Sequence, residues 1–177
     1  MKPKNCLLFG ASGQIGKNLI RKLTYNNYKV TAVTRNYHQK GVMLKTQGNA
    51  GYIEVREANI FDEKQLNDLI SEADICINLV GILYEKGKLN TFKNIHSLFP
   101  EVISKICNKN KIENFIHISA LGIEESSESK YSNSKLEGEK KILSNYPSAT
   151  ILRPSIVYSI DDNFTTRFMS LMNLLPV

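Results

Sequence analysis

The sequence predicts an α/β fold, a doubly wound parallel sheet with strand order 3-2-1-4-5-6 and helices on both faces. Six strand-like apolar runs alternate with helical patterns along the 177 residues, and such alternation builds a parallel sheet through right-handed crossovers. The first run, Cys6–Phe9, ends at glycines spaced three apart, Gly10, Gly13 and Gly16. The fourth, Asp74–Gly81, is apolar with one polar interruption at Asn78, the composition of a strand covered on both faces.

The elements follow in order. Ile15, Leu19, Ile20 and Leu23 recur at helical spacing, with Lys17, Asn18, Arg21 and Lys22 on the other side, as in an amphipathic helix lying on a sheet. Lys29–Arg35 is rich in β-branched residues and gives the second strand. Tyr37–Gly51 is polar and contains Gly41, Gly48 and Gly51, which predicts a connection with a short helical turn. Tyr52–Arg56 alternates as the third strand, and Asp62 stands where it would cap a helix over Glu63–Glu72. A helix over Leu89–Asn108 follows the fourth strand, with Pro100 set to kink or divide it. Phe115–Ser119 is the fifth strand, Gly122–Lys130 a polar loop, Tyr131–Asn145 a helix and Ala149–Pro154 the sixth strand.

The glycine stretch carries the first functional expectation. Glycines at these positions let the backbone turn, approach a pyrophosphate and pack the new helix on its strand, and the helix N-terminus attracts the anion. Gly10, Ser12, Gly13, Gln14, Ile15 and Gly16 are therefore the candidate phosphate loop of a dinucleotide site. The tip of the second strand selects the cofactor. An Asp or Glu there would accept hydrogen bonds from the ribose hydroxyls of NAD, but the residue present is Arg35 with Asn36 beside it. A guanidinium suits the extra 2′-phosphate of NADP, so NADP(H) is favoured and NAD(H) is the alternative. Asn59 and Ile60 are candidates for the adenine, and Val80 and Gly81 for close approach of the cofactor at the end of the fourth strand. A Walker P-loop does not fit, because Ala11 and Asn18 stand where that motif needs glycine and Ser or Thr.

Tyr131 and Lys135 lie four apart on one helix and share a face. The same spacing recurs at Tyr25/Lys29 and Tyr84/Lys88, so only the context, a helix opening after the fifth strand, separates this pair. In a catalytic role Tyr131 would be the acid/base. Its ordinary pKa of about 10 would need lowering by the Lys135 ammonium, which could also hold the nicotinamide ribose.

Composition excludes several classes. The net charge of +6, from 23 basic and 17 acidic residues, comes from scattered lysines without the clustered basic stripe of nucleic-acid binders. Cys6, Cys76 and Cys107 are far apart, and His38, His96 and His117 fall in different elements, so no metal site is expected and a reducing, cytoplasmic setting is implied. No unbroken apolar run reaches the ~18 residues of a membrane span.

Gly10–Gly16, Asn78–Gly81 and Tyr131–Lys135, in this order, resemble the short-chain dehydrogenase/reductase superfamily, whose nucleotide domain is a Rossmann fold. The glycine spacing is that of its extended and atypical branches, of the NAD-dependent epimerase/dehydratase type. Asn78–Leu83, Tyr131–Lys135 with Gly138 and Glu139, and Leu152–Tyr158 are similar to an atypical group that contains the nucleotide-binding accessory subunit of respiratory complex I. The resemblance implies NADP(H) or NAD(H) along the carboxyl ends of the strands, and a respiratory complex or membrane-peripheral partner. It further implies a nucleotide-binding domain over 1–160, with 161–177, including the apolar Phe164–Leu175 pattern, opening a substrate-binding region. It assigns Ser119 as a third catalytic member, but at the position of the carbonyl-polarising serine this sequence has Ala120. A donor would then have to come from Ser126, Ser127 or Ser129. Three roles compete: a weak oxidoreductase or epimerase, a cofactor-holding subunit of a larger complex, and a cofactor-sensing regulator that would not need Tyr131.

Overall fold

The computed structural model describes residues 2–126, 128–159 and 171–172. Six parallel strands form one sheet: β1 (Asn5–Phe9), β2 (Lys29–Thr34), β3 (Ile53–Glu57), β4 (Ile75–Asn78), β5 (Asn114–Ile118) and β6 (Thr150–Leu152), in the order β3-β2-β1-β4-β5-β6. The order and the parallel pairing are those the sequence predicts. β1 is central because its run Cys6–Phe9 is fully buried, and it pairs on one side with β2 (Phe9 opposite Val33) and on the other with β4 (Phe9 opposite Asn78).

Two cores cover the sheet. On one face Leu8, Ala32 and Ile77 pack with Ile20 of α1 (Gln14–Tyr25) and Leu44 of α2 (Tyr37–Lys45). On the other, Leu7, Phe9, Cys76 and Phe115 pack with Leu66 and Ile70 of α3 (Glu63–Ser71), with Ile103 of α4 (Phe99–Lys109) and with Ile142 of α5 (Lys130–Asn145). Asp62 caps α3 as expected, its Oδ1 accepting from Gln65 N at 3.1 Å. The three cysteines are free and buried.

Two stretches differ from expectation. The connection after β2 holds the nine-residue helix α2 rather than a short turn. Asn36 caps it by accepting from Gln39 N at 3.0 Å, and the missing side chain of Gly41 leaves room for the Tyr37 ring, 3.3 Å from where a Cβ would stand. A glycine that suggested a break instead makes room within a helix. The expected helix from Leu89 starts later. Lys86 and Asn90 form an antiparallel bridge, a π-helical segment spans Lys93–Leu98, and α4 follows, with Pro100 in its first turn, where the missing N–H breaks no helical bond. Pro100 therefore divides the run. Of the predicted 161–177 region, only Leu171 and Met172 lie within the described residues, helical and exposed.

The packing of α5 on the π-segment depends on one glycine. A Cβ on Gly138 would stand 1.9 Å from the carbonyl oxygen of His96, a backbone atom. Helix propensity favours Ala over Gly by about 1 kcal/mol, but a backbone overlap of this depth dominates. Gly138→Ala is expected to destabilise the chain by about 2 kcal/mol or more in urea unfolding, and an unchanged or raised midpoint would contradict this packing.

Candidate functional site

The loops after β1, β2, β3 and β4 surround a cavity of about 520 Å³ at the carboxyl ends of the strands, the position at which open α/β sheets bind ligands. Gly10 has φ of +78°, and a Cβ on it would lie 2.9 Å from Leu79 C and 3.0 Å from Val80 N. Only glycine allows the β1 turn and the backbone after β4 to touch. A Cβ on Gly16 would be 2.4 Å from Ala11 O, so α1 folds back tightly on its own entry. Gly13 is the N-cap of α1 and supplies no capping side chain, which leaves the helix start, Gln14, Ile15 and Gly16, available to an anion.

Gly10, Ser12, Gly13, Arg35, Ile60, Val80 and Gly81 all line this cavity. Arg35 donates from a guanidinium nitrogen to Asn90 Oδ1 at 3.1 Å. The sequence reading passed over Lys40, whose ammonium donates to Ser12 Oγ at 3.2 Å; it sits on α2, where the sequence predicts a connection with only a short helical turn. No carboxylate is among the lining residues. Asn59 is not brought in. Its Oδ1 accepts from Phe61 N at 3.0 Å and its N–H donates to Gln65 Oε1 at 2.8 Å, both within the turn before α3. The Gln14 side chain also points elsewhere, donating to Val157 O at 3.0 Å. A second cavity of about 490 Å³ lies at the amino ends, among Lys2, Lys29 and Glu72, away from the loops that carry the glycines.

A buried polar cluster adjoins the cavity beyond Gly81. Lys135 of α5 donates to Ile118 O at 3.1 Å, and its nitrogen is 3.6 Å from where a Cβ on Gly81 would stand. Burial lowers its pKa to about 8, partly opposed by Glu139. Asn78 accepts from Val80 N at 3.0 Å through Oδ1, which turns its amide nitrogen toward His117 Nδ1, also at 3.0 Å. His117 Nδ1 is therefore the acceptor and Nε2 carries the hydrogen. Among the described residues, His117 Nε2 and the Oγ of Ser119 are buried without a hydrogen-bond partner. Burial and the charge of Lys135 hold His96 and His117 neutral, each with a pKa near 3.

Tyr131 is half-buried, stacked edge-on against the rings of His96 (5.2 Å) and Phe92 (5.8 Å). The expectation that Lys135 would lower its pKa is not met. Burial raises the Tyr131 pKa, and Lys135 gives a hydrogen of its ammonium to the Ile118 carbonyl. Neither described serine of the polar loop reaches the cluster: Ser126 bonds to Gly122 O and Ser129 caps α5 through Ser132 N. Ser127 lies outside the described residues.

A family model described as NAD dependent epimerase/dehydratase family matches residues 6–174. The chain belongs to that family. Among similar members are the mitochondrial NADH dehydrogenase [ubiquinone] 1 alpha subcomplex subunit 9 of Dictyostelium discoideum, 31% identical over 91% of this chain and 44% of its own length, and the mitochondrial NADH-ubiquinone oxidoreductase 40 kDa subunit of Neurospora crassa, 27% identical over 95% and 44%. The chain thus spans under half the length of these relatives. The family fold recurs in the Bordetella bronchiseptica enzyme WbmH, solved with NAD+ (TM-score 0.77, 17% identity, 96% of this chain and 62% of that one). It recurs too in Citrobacter sp. triphenylmethane reductase, solved with NADP(H) (TM-score 0.69, 18%, 95% and 55%).

The sequence reading also missed His96. A histidine inside an apolar helical pattern gives no signal of its own, and only the fold shows it between Gly81 and Tyr131. Lys40 could have been found once Asn36 was read as an N-cap, because that cap starts a helix beside the glycine loop.

Histidines held neutral near pKa 3 in the fold and titrating near about 6.5 when unfolded bind fewer protons folded than unfolded between those values. Their contribution to stability is present above about 6.5 and is lost as pH falls toward 3. The wild-type urea midpoint is expected to fall more steeply over that window than that of His117→Gln, and parallel curves would show that His117 is not held neutral.

Proposed function

We propose that the chain binds a nicotinamide dinucleotide along the carboxyl ends of β1, β2 and β4, with NADP(H) preferred over NAD(H). The observation that carries the preference is the cavity wall beside β2, where Arg35 and Lys40 stand with Ser12 and no carboxylate lines the cavity. Two cations and a hydroxyl complement a 2′-phosphate, whereas the ribose diol of NAD needs a carboxylate acceptor. The uncapped start of α1 takes the pyrophosphate, Ile60 packs on the adenine side, and Val80 and Gly81 admit the middle of the cofactor. Lys135, with one hydrogen given to Ile118 O, keeps two for the nicotinamide ribose.

The favoured role is a cofactor-holding subunit of a respiratory-chain NADH dehydrogenase complex. The relatives named above support it, as do Ala120 and the raised pKa of Tyr131. Among the described residues no helix is long and apolar enough to cross a membrane, and attachment to the membrane is through the partner, from the cytoplasmic side. On this reading residues 1–160 are the dinucleotide-binding domain, supported by the six strands of the described residues, which end with β6 at Leu152, and 161–177 are the opening of a second region. A weak oxidoreductase or epimerase activity is the second reading, favoured by Tyr131 and Lys135 facing the same cluster. A bound nicotinamide supplies hydride transfer; Tyr131 would give or take a proton at its phenol oxygen, and Ser119 would polarise the substrate oxygen.

Titration with NADPH and NADH tests the binding. NADPH is expected to bind more tightly. Arg35→Ala and Lys40→Ala should each weaken NADPH about tenfold or more, on the scale of a charged hydrogen bond, and leave NADH nearly unchanged. Equal affinities would remove the 2′-phosphate assignment, and binding of neither would remove the dinucleotide site. In hydride-exchange assays, Tyr131→Phe should match the wild type if the chain only holds its cofactor, whereas a drop of about a hundredfold would establish the catalytic role.

A further inference from the structure

We propose that His96 is the positioning residue of this site, a two-sided clamp that fixes the Gly81–Ile82 wall with one ring nitrogen and the start of α5, with Tyr131, through the other. The inference rests on the dinucleotide reading above and adds a residue to it.

Hydrogen-bond chemistry assigns both nitrogens. Ile82 N lies 3.0 Å from His96 Nε2, and since an amide can only donate, Nε2 is the acceptor and bears no hydrogen. The ring is neutral, so Nδ1 carries the hydrogen and donates to Ser134 Oγ at 3.0 Å. Ser134 passes its own hydrogen to the carbonyl of Tyr131 at 2.7 Å. The chain Ile82 N–H, imidazole, Ser134 hydroxyl, Tyr131 carbonyl is unidirectional and fully buried at the ring, which has no exposed surface. It links the cavity wall that contains Gly81 and Ile82 to the first turn of α5.

Ring packing adds a second, independent constraint. Phe92 stacks on His96 at 5.4 Å and 21°, and Tyr131 meets the imidazole edge-on at 5.2 Å and 86°, geometries that attract quadrupolar rings. Phe92 and His96 thereby set the direction of the phenol. The backbone supplies the third. His96 lies in the π-helical segment Lys93–Leu98, and its carbonyl oxygen occupies the space that a Cβ on Gly138 would need. π turns are rare, appear mostly as single-turn bulges within α-helices, and are frequent at functional sites. Here the segment brings the His96 ring within 3.7 Å of where a Cβ on Gly81 would be, beside the Lys135 nitrogen. Lys135, His117 and Tyr131 are the titratable groups that face the ring, and none of them is a carboxylate that would draw a second proton onto it.

The full chain tests this in two ways. In the imidazole ¹⁵N NMR spectrum of the wild type, His96 is expected as the Nδ1–H tautomer; an Nε2–H tautomer or a charged ring would overturn the assignment. NADPH affinity is then compared with melting temperature for His96→Gln, whose side-chain oxygen can replace the Nε2 acceptor, and His96→Asn, whose amide can replace only the Nδ1 donor. His96→Gln is expected to bind NADPH within about threefold of wild type and His96→Asn about tenfold more weakly, whatever the order of their melting temperatures. Affinities that do not change, or that fall by the same factor in both variants, would make His96 a core residue and overturn the proposal. If neither variant folds, Ser134→Ala keeps the ring and removes the Nδ1 partner. A shift of the His96 Nδ1 and Tyr131 ring resonances, with the Nδ1–H tautomer kept by Ile82 N, supports the clamp, and an unaltered spectrum overturns it. Wild type that binds no NADPH fails the dinucleotide reading instead, and the tautomer result still stands on its own.

Discussion

The site depends first on the contact between Gly10 and the backbone of Leu79 and Val80. β1 lies between β2 and β4, and the chain reverses its direction of winding there, so the loops after β1 and β4 diverge to opposite faces and leave a crevice. Contact of the two backbones at the base of the crevice fixes its floor. Leu79 N donates to Phe9 O at 3.0 Å just below that contact, and a side chain at position 10 would collide with main-chain atoms that this bond holds in place. Everything that lines the cavity is referred to that floor: the helix start beyond Gly13, the two cations of the β2 side, and the Gly81–Ile82 wall.

A second constraint acts one layer deeper. Lys135 is 4% exposed, and the neighbouring carboxylate of Glu139 is bonded bidentately by Arg153, at 3.0 and 2.5 Å. Glu139 is thus shared with Arg153 and only partly opposes the burial that lowers the Lys135 pKa, and the burial of both neighbouring imidazoles, with the Lys135 charge added, keeps them neutral. His117 in β5 and Ser119 just past its end, whose Nε2 hydrogen and hydroxyl have no partner among the described residues, stand at alternate positions with Phe115, which packs in the core. Polar groups in such number are expensive to bury, and their concentration at the carboxyl end of β4 and β5 marks the region as something other than packing.

Much of this was legible in the sequence. Strand order, the glycine turn, Asp62 as a cap and Arg35 at the strand tip follow from local chemistry: periodicity, a glycine where the backbone must turn, a short polar side chain before a helix. What stayed illegible depends on tertiary context. Gly41 looks like a breaker until Tyr37 covers it, so only a short helical turn is legible where the nine-residue α2 stands, and Lys40 on it is passed over. Asn59 looks like an adenine ligand until its own turn consumes both its amide N–H and its side-chain oxygen. The Tyr131/Lys135 spacing correctly predicts a shared helix face but not the direction of the ammonium, which depends on a carbonyl seventeen residues away in sequence.

That direction separates holding a cofactor from transforming a substrate. A base at Tyr131 needs a phenol whose proton leaves near neutral pH, and the stabilising charge must therefore point at the phenol oxygen. Here the charge is anchored on Ile118 O while burial moves the phenol the other way. Holding a ribose makes no such demand, because an ammonium with two free hydrogens serves whatever the state of the phenol. The same geometry gives the tyrosine a structural use besides any acid/base work: its ring meets the edge of His96, and the imidazole in turn holds Ile82 of the cavity wall. A cation, an imidazole and an aromatic ring that all brace the cavity favour the proposed cofactor-holding role over acid/base work at Tyr131.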